Sequence, residues 1–130
     1  MAAPDLHATV LFAHGSRDPA WRAPIEAVAA RMAALHPGAL VRCAYLELNT
    51  PDLPTATAEL LQAGATRITV WPMFLGSGRH AREDLPRLLA TLRSQHPQVP
   101  IALAQSIGEH PEVLDVMARV ALGPGDFLDE

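Results

Sequence analysis

The sequence contains no lysine: all ten basic residues among its 130 are arginine. That absence removes Schiff-base chemistry and the lysine of a phosphate-binding P-loop. Arginine suits bidentate carboxylate binding, although a compositional bias explains most of these ten equally well. A single cysteine, Cys43, excludes a disulfide framework or a thiolate zinc site within one chain. Its apolar neighbours mark it as a buried structural thiol. No apolar run approaches the roughly 18–20 residues of a membrane span. The N-terminus has no basic segment leading into an apolar one, as a signal peptide would. A cytoplasmic protein without a membrane partner is therefore expected. The net charge of −4 argues against a general nucleic-acid binder.

What is present is an apolar share of 49% against 18% charged residues, the balance of a globular chain. The length suits one domain over 1–130, with 1–5 and 124–130 expected to be loose. Leu6 to Ala13 reads as a first strand, because Val10, Leu11, Phe12 and Ala13 are consecutive and apolar, as in a strand covered on both faces. Pro19 or Pro24 falls near a helix start, and Ile25, Val28, Ala29, Met32 and Leu35 then follow helical spacing. Ala39 to Leu46, Thr66 to Pro72 and Ile101 to Ala104 give three more strands. Helical patterns follow each: Leu53, Ala56, Leu60 and Leu61; Leu85, Leu88, Leu89 and Leu92; Val113, Met117, Val120 and Ala121. Pro86 is expected in the first turn of its helix, or else to bend it. This alternation calls for an α/β fold, a mostly parallel four-stranded sheet between helix layers. Four strands are few for that class, so a second copy of the chain is a natural complement.

The glycines spell no nucleotide fingerprint. Gly76-Ser77-Gly78 lacks a third glycine, and neither Ser16 nor Ser77 sits in a Gly-x-Ser-x-Gly elbow. What remains is a histidine and carboxylate set. His14, Glu47 and His80 each follow a different strand, and His110 follows the fourth. Parallel strands bring their C-terminal ends together, where open α/β sheets bind ligands. Two imidazoles and a carboxylate can hold iron, cobalt, nickel or zinc. The same placement suits histidines that are only hydrogen-bonded loop residues, and spacing alone leans slightly towards that reading. Arg17, Arg22, Arg79 and Arg82 cluster around the two histidine loops, as solvated charge or as a cationic rim for a polycarboxylate. Asp18 and Asp84 read as residues near helix starts that cap the helix or favour its dipole, and Glu26, Glu59 and Glu83 as solvated helix positions.

Together the motifs resemble the small sirohydrochlorin chelatases of the short CbiX type. They are His14-Gly15-Ser16-Arg17 after an apolar strand, then Pro72-Met73-Phe74-Leu75 with Gly78, His80 and Asp84-Leu85-Pro86. The resemblance runs over nearly the whole chain. It implies a flavodoxin-like, chelatase-like three-layer sandwich equivalent to one half of a class II chelatase. It implies insertion of Co2+, with Fe2+ or Ni2+ as alternatives, into sirohydrochlorin for cobalamin or siroheme biosynthesis. No permanently bound cofactor is implied; the metal is a substrate. His14 and His80 match the family's metal-binding histidines, and Glu47 its acidic position after the second strand. Ser16, Arg17, Gly76, Ser77, Gly78 and Arg79 become candidates for binding the tetrapyrrole carboxylates. A homodimer enclosing the tetrapyrrole is also implied. Two other classes stay open: a metal or tetrapyrrole carrier without turnover, and a binding domain with incidental histidines.

Overall fold

The computed structural model describes residues 4–124, except for the side chain at position 80. Four strands alternate with four helices: β1 (His7–Ala13), α1 (Ala23–Leu35), β2 (Leu40–Tyr45), α2 (Leu53–Gln62), β3 (Arg67–Pro72), α3 (Arg79–Gln95), β4 (Ile101–Leu103) and α4 (Pro111–Leu122). One-turn 3-10 helices, Pro19–Arg22 and Ile107–Glu109, precede α1 and α4. The sheet is wholly parallel in the order β2-β1-β3-β4. The chain therefore leaves β1 towards one edge and returns through β3 on the other side. The loops after β1 and β3 part at this switch, and a crevice opens at their strand ends.

The apolar run of β1 is continuous because both of its faces are covered. Val10 and Phe12 enter the larger core with Leu53 and Leu60 of α2 and Leu89 and Leu92 of α3. Leu11 and Ala13 pack on the opposite face with Ile25, Val28 and Met32 of α1. That second face is only half covered. Trp71 of β3 stays half-buried there and meets the His110 ring, with centroids 6.2 Å apart. The apolar face expected on α4 forms but is not buried: Met117 is 36% and Val120 68% exposed, and α4 has no buried residue. Cys43 is half-buried rather than buried, with Sγ 3.8 Å from the Ile25 carbonyl. Burial, assisted by the nearby Glu26 carboxylate, pushes its thiol pKa up, as befits an unreactive group.

Three local expectations change. α3 starts at Arg79, so His80 belongs to the helix's first turn rather than to a loop; of the two places expected for Pro86, the helix interior is the one found. Asp84 consequently lies beyond the first turn of α3 and cannot cap it. Within the leader expected to be loose, Asp5 is held by hydrogen bonds from Thr66 Oγ1 at 2.9 Å and Arg67 Nε at 3.2 Å. The tail at 125–130, also expected to be loose, lies outside the described residues. Asp18 does cap as expected, accepting the Ala20 N–H at 3.0 Å. His110 likewise caps α4, its Nδ1 accepting the Glu112 N–H at 3.2 Å.

Two consequences for stability follow. Gly108 donates to the Phe74 carbonyl at 2.9 Å, and a Cβ there would overlap the Leu75 backbone. Gly76 and Gly78 have open space where a Cβ would go. In urea titrations Gly108→Ala should cost about 1–3 kcal/mol, the range for forced overpacking. Gly76→Ala and Gly78→Ala should each cost less than about 1 kcal/mol. Asp52 caps α2 by accepting the Thr55 N–H at 2.9 Å. The hydrogen bonds from Thr55 hold its carboxyl below the ordinary value of 3.8. A depressed carboxyl stabilises the fold above its unfolded value and loses that contribution as pH falls. The stability difference between wild type and Asp52→Ala, about 1 kcal/mol at neutral pH, should shrink as pH is taken below about 4.

Candidate functional site

The site begins where two loops cross. His14 follows β1 directly, and Glu47 lies two residues beyond β2. The Leu46 N–H donates to the Ala13 carbonyl at 2.9 Å, and the Glu47 N–H to the His14 carbonyl at 3.1 Å. Between them Gly15 takes a φ of +109°, and a Cβ there would land on the Glu47 carbonyl oxygen. Only glycine allows both that backbone conformation and that approach. The crossing brings His14 Nε2 to 3.5 Å from Glu47 Oε1. Both side chains are more than half exposed, at 61% and 58%. An exposed pair of this kind holds little energy of its own, about 0–1 kcal/mol, so it can yield to a ligand.

His14 faces a cavity of about 660 Å3 at the β1/β3 switch. Phe12, Leu46, Phe74, Leu85 and Leu88 give it an apolar lining, and Arg79 and Asp84 supply charge. Gly76 and Gly78 also line it. The hollow suits a large, mostly apolar ligand fixed by a few polar groups. Phe12 and Leu85 belong to the core, so one wall of the cavity is continuous with the packed interior.

The loop between β3 and α3 is tied to the turn before α4. The Ser77 N–H donates to Glu109 Oε1 at 3.2 Å, and its hydroxyl is hydrogen-bonded to that of buried Ser106. Arg82 donates to the Ser77 carbonyl at 3.3 Å. All three polar groups of Ser77 are thus engaged within the protein, which makes it an anchor for the loop. Arg79 is exposed and donates to Glu83 at 3.2 Å. Arg22 sits at an ion-pair distance of 3.5 Å from Glu26. Arg17 is exposed and forms no ion pair among the described residues. The Ser16 hydroxyl accepts the Asp18 N–H at 3.1 Å and keeps its own proton free to donate.

The structure therefore brings His14 and Glu47 together. The His80 backbone stands in the first turn of α3, next to Arg79 of the cavity lining, while its side chain lies outside the described residues. Among the described residues no three His, Cys, Asp or Glu side chains converge. His110, the third histidine expected at a strand end, uses its ring to cap α4. Sequence reasoning missed Asn49, whose Oδ1 accepts the Ser16 N–H at 2.8 Å. It also missed Ser106, Gly108 and Glu109, which hold the loop after β3. An Asn in a polar loop is a turn signal. Nothing local marks residues whose partners lie some thirty positions away in the chain.

Known proteins resemble this chain over most of its length. The CbiX family model matches residues 8–121. The sirohydrochlorin cobaltochelatase of Saccharolobus solfataricus is 30% identical over 85% of this chain and 89% of its own. A crystal structure of a CbiX protein from Marinobacter aquaeolei VT8 shares 32% identity, with a TM-score of 0.77, covering 88% of this chain and 91% of that one. The sirohydrochlorin chelatase SirB of Bacillus subtilis, solved in complex with cobalt, shares 30% identity with a TM-score of 0.69. It is matched by 89% of this chain but over only 50% of its own length, so the chain corresponds to about half of SirB. A four-stranded parallel sheet, a histidine loop at its switch point and a match over nearly all the described residues agree: the chain belongs to the CbiX family, in its short form.

Proposed function

We propose that this protein is a metal chelatase that inserts a divalent ion, Co2+ foremost, into sirohydrochlorin for cobalamin or siroheme biosynthesis. The observation that carries the reading is the His14–Glu47 pair at the edge of the apolar cavity beside β1. Relatives named sirohydrochlorin cobaltochelatase support it. A SirB complex with cobalt supports the first choice of metal, and a SirB structure with Fe3+ keeps iron as the second. Intrinsic affinity does not select among cobalt, iron and nickel at such a donor set, so supply decides much of the outcome.

Insertion breaks no carbon bond and needs no covalent nucleophile. The ion must shed water, the macrocycle must pucker, and two pyrrole N–H protons must leave as the metal enters. In this reading His14, Glu47 and His80 receive the ion. His14 or Glu47 accepts a departing proton, since an imidazole or carboxylate within reach can act as a base. Arg17, Arg79, Ser16 and the backbone amides of the exposed residues Gly76 and Gly78 bind the substrate carboxylates, with Ser77 as the anchor of that loop. Such contacts hold the ring nearer its puckered transition state than its flat ground state. The metal is substrate, and no permanently bound cofactor is required.

We further propose that the working unit is a homodimer enclosing the tetrapyrrole, with a second copy in the role of SirB's other half. The exposed apolar residues of α4, Met117 and Val120 among them, favour it. The cytoplasm is the proposed compartment: Cys43 is a free thiol, suited to reducing surroundings. No described helix is long and apolar enough to cross a membrane.

Anaerobic optical assay with sirohydrochlorin and Co2+ should show multiple turnovers per protein chain. His14→Ala should lower the rate about 100-fold, the scale of a lost acid–base group. Conversion of one equivalent and no more would make the protein a carrier. A rate equal to the protein-free rate would remove the enzyme reading. Light scattering should give about twice the chain mass of 13.9 kDa, and Val120→Asp should yield the single-chain mass. A wild-type monomer with and without ligand would refute the dimer.

A further inference from the structure

The segment from His14 to Asp18 carries a proposed metal ligand yet belongs to no helix or strand. Its second residue is a glycine pressed on the Glu47 backbone, so no side chain at position 15 can wedge it in place. What holds it beyond the crossing is polar. Leu48 takes the left-handed φ of +67°, an uncommon conformation for a residue of that shape. That turn folds the chain back, so that the Asn49 N–H donates to the Glu47 carbonyl at 2.8 Å. The Asn49 side chain then spans the gap between the loops and accepts the Ser16 N–H, also at 2.8 Å. A backbone N–H can only donate, so the side-chain oxygen must be the atom that faces it.

We infer that Asn49 is a positioning residue for metal capture: by clasping the Ser16 amide it sets the spacing of His14 and Glu47. One side chain thus ties the residue two beyond the histidine to the residue two beyond the carboxylate. It does not line the cavity that Phe74 and Arg79 line, but the adjoining hollow of about 500 Å3 with Glu47 and Asp52. Its loss should therefore weaken the hold on the ion while leaving the apolar tetrapyrrole cavity intact. Outer partners that orient metal ligands commonly change affinity by about 10–100-fold. Two backbone bonds across the crossing survive the substitution, which sets the expectation at the low end.

This inference rests on the proposal that His14 and Glu47 receive the metal, and its test separates the two. The intact protein is titrated with Co2+ alone and, separately, with sirohydrochlorin alone, alongside its His14→Ala, Asn49→Ala and Asn49→Asp variants. Asn49→Ala should raise the Co2+ Kd about tenfold and leave sirohydrochlorin affinity and the thermal midpoint nearly unchanged. Asn49→Asp, whose carboxylate accepts the same N–H, should restore most of the Co2+ affinity. If His14→Ala loses Co2+ but Asn49→Ala keeps it, the inference fails and the metal site stands. If His14→Ala binds Co2+ as tightly as wild type, the metal site falls and the inference with it. A parallel loss of sirohydrochlorin affinity in folded Asn49→Ala would make Asn49 a general structural residue and overturn it. Should Asn49→Ala not fold, Asn49→Ser, too short to reach Ser16, serves in its place under the same criteria.

Discussion

The candidate site depends on one close approach, the Gly15 backbone against the Glu47 carbonyl. A side chain at position 15 would force the β1 and β2 loops apart. With them would go the hydrogen bonds from Leu46 to Ala13 and from Glu47 to His14. The parallel pairing of β1 and β2, in register up to Ala13 and Tyr45, delivers the two loops side by side. The glycine then lets them touch. Local backbone freedom and sheet register thus meet at one residue, and the approach of His14 to Glu47 follows from that meeting.

The second loop is held by a different device. No glycine with positive φ is needed at positions 76 and 78. Instead the turn before α4 grips the loop through Ser106, Gly108 and Glu109. The two sides of the cavity are therefore built from different parts of the chain. One side is backbone against backbone near the sheet edge at β2. The other is a side-chain clasp reaching from the opposite edge, beyond β4. A cavity framed this way is fixed by the strand order itself, because β1 and β3 are neighbours while their loops are anchored outward.

Much of this was legible in the residues. The continuous apolar run of β1, the helical spacing of Ile25 to Met32, and the proline and glycine stops gave the element order and the parallel sheet. The placement of His14 and Glu47 at strand ends anticipated their approach, since strands of a parallel sheet end together. The start of α3 was not legible. Gly78 caps that helix with no side-chain hydrogen bond, so nothing in its chemistry marks the boundary, and Pro86 drew the expected start too far along the chain. The exposure of α4 was equally hidden: its apolar stripe states that something should cover it, and only the packed chain shows that its own sheet does not. Asn49 and Glu109 escaped because their partners are remote in sequence, and a polar residue's target is written in the fold rather than in its neighbours.

The proposed metal-receiving centre joins His14 and Glu47 with His80. X-ray absorption at the cobalt edge of the Co2+-loaded protein addresses it directly. Such a centre requires imidazole scattering from two histidines alongside oxygen ligands, with one imidazole lost in His14→Ala and the other in His80→Ala. A cobalt shell of oxygen alone, unchanged by either substitution, would contradict it.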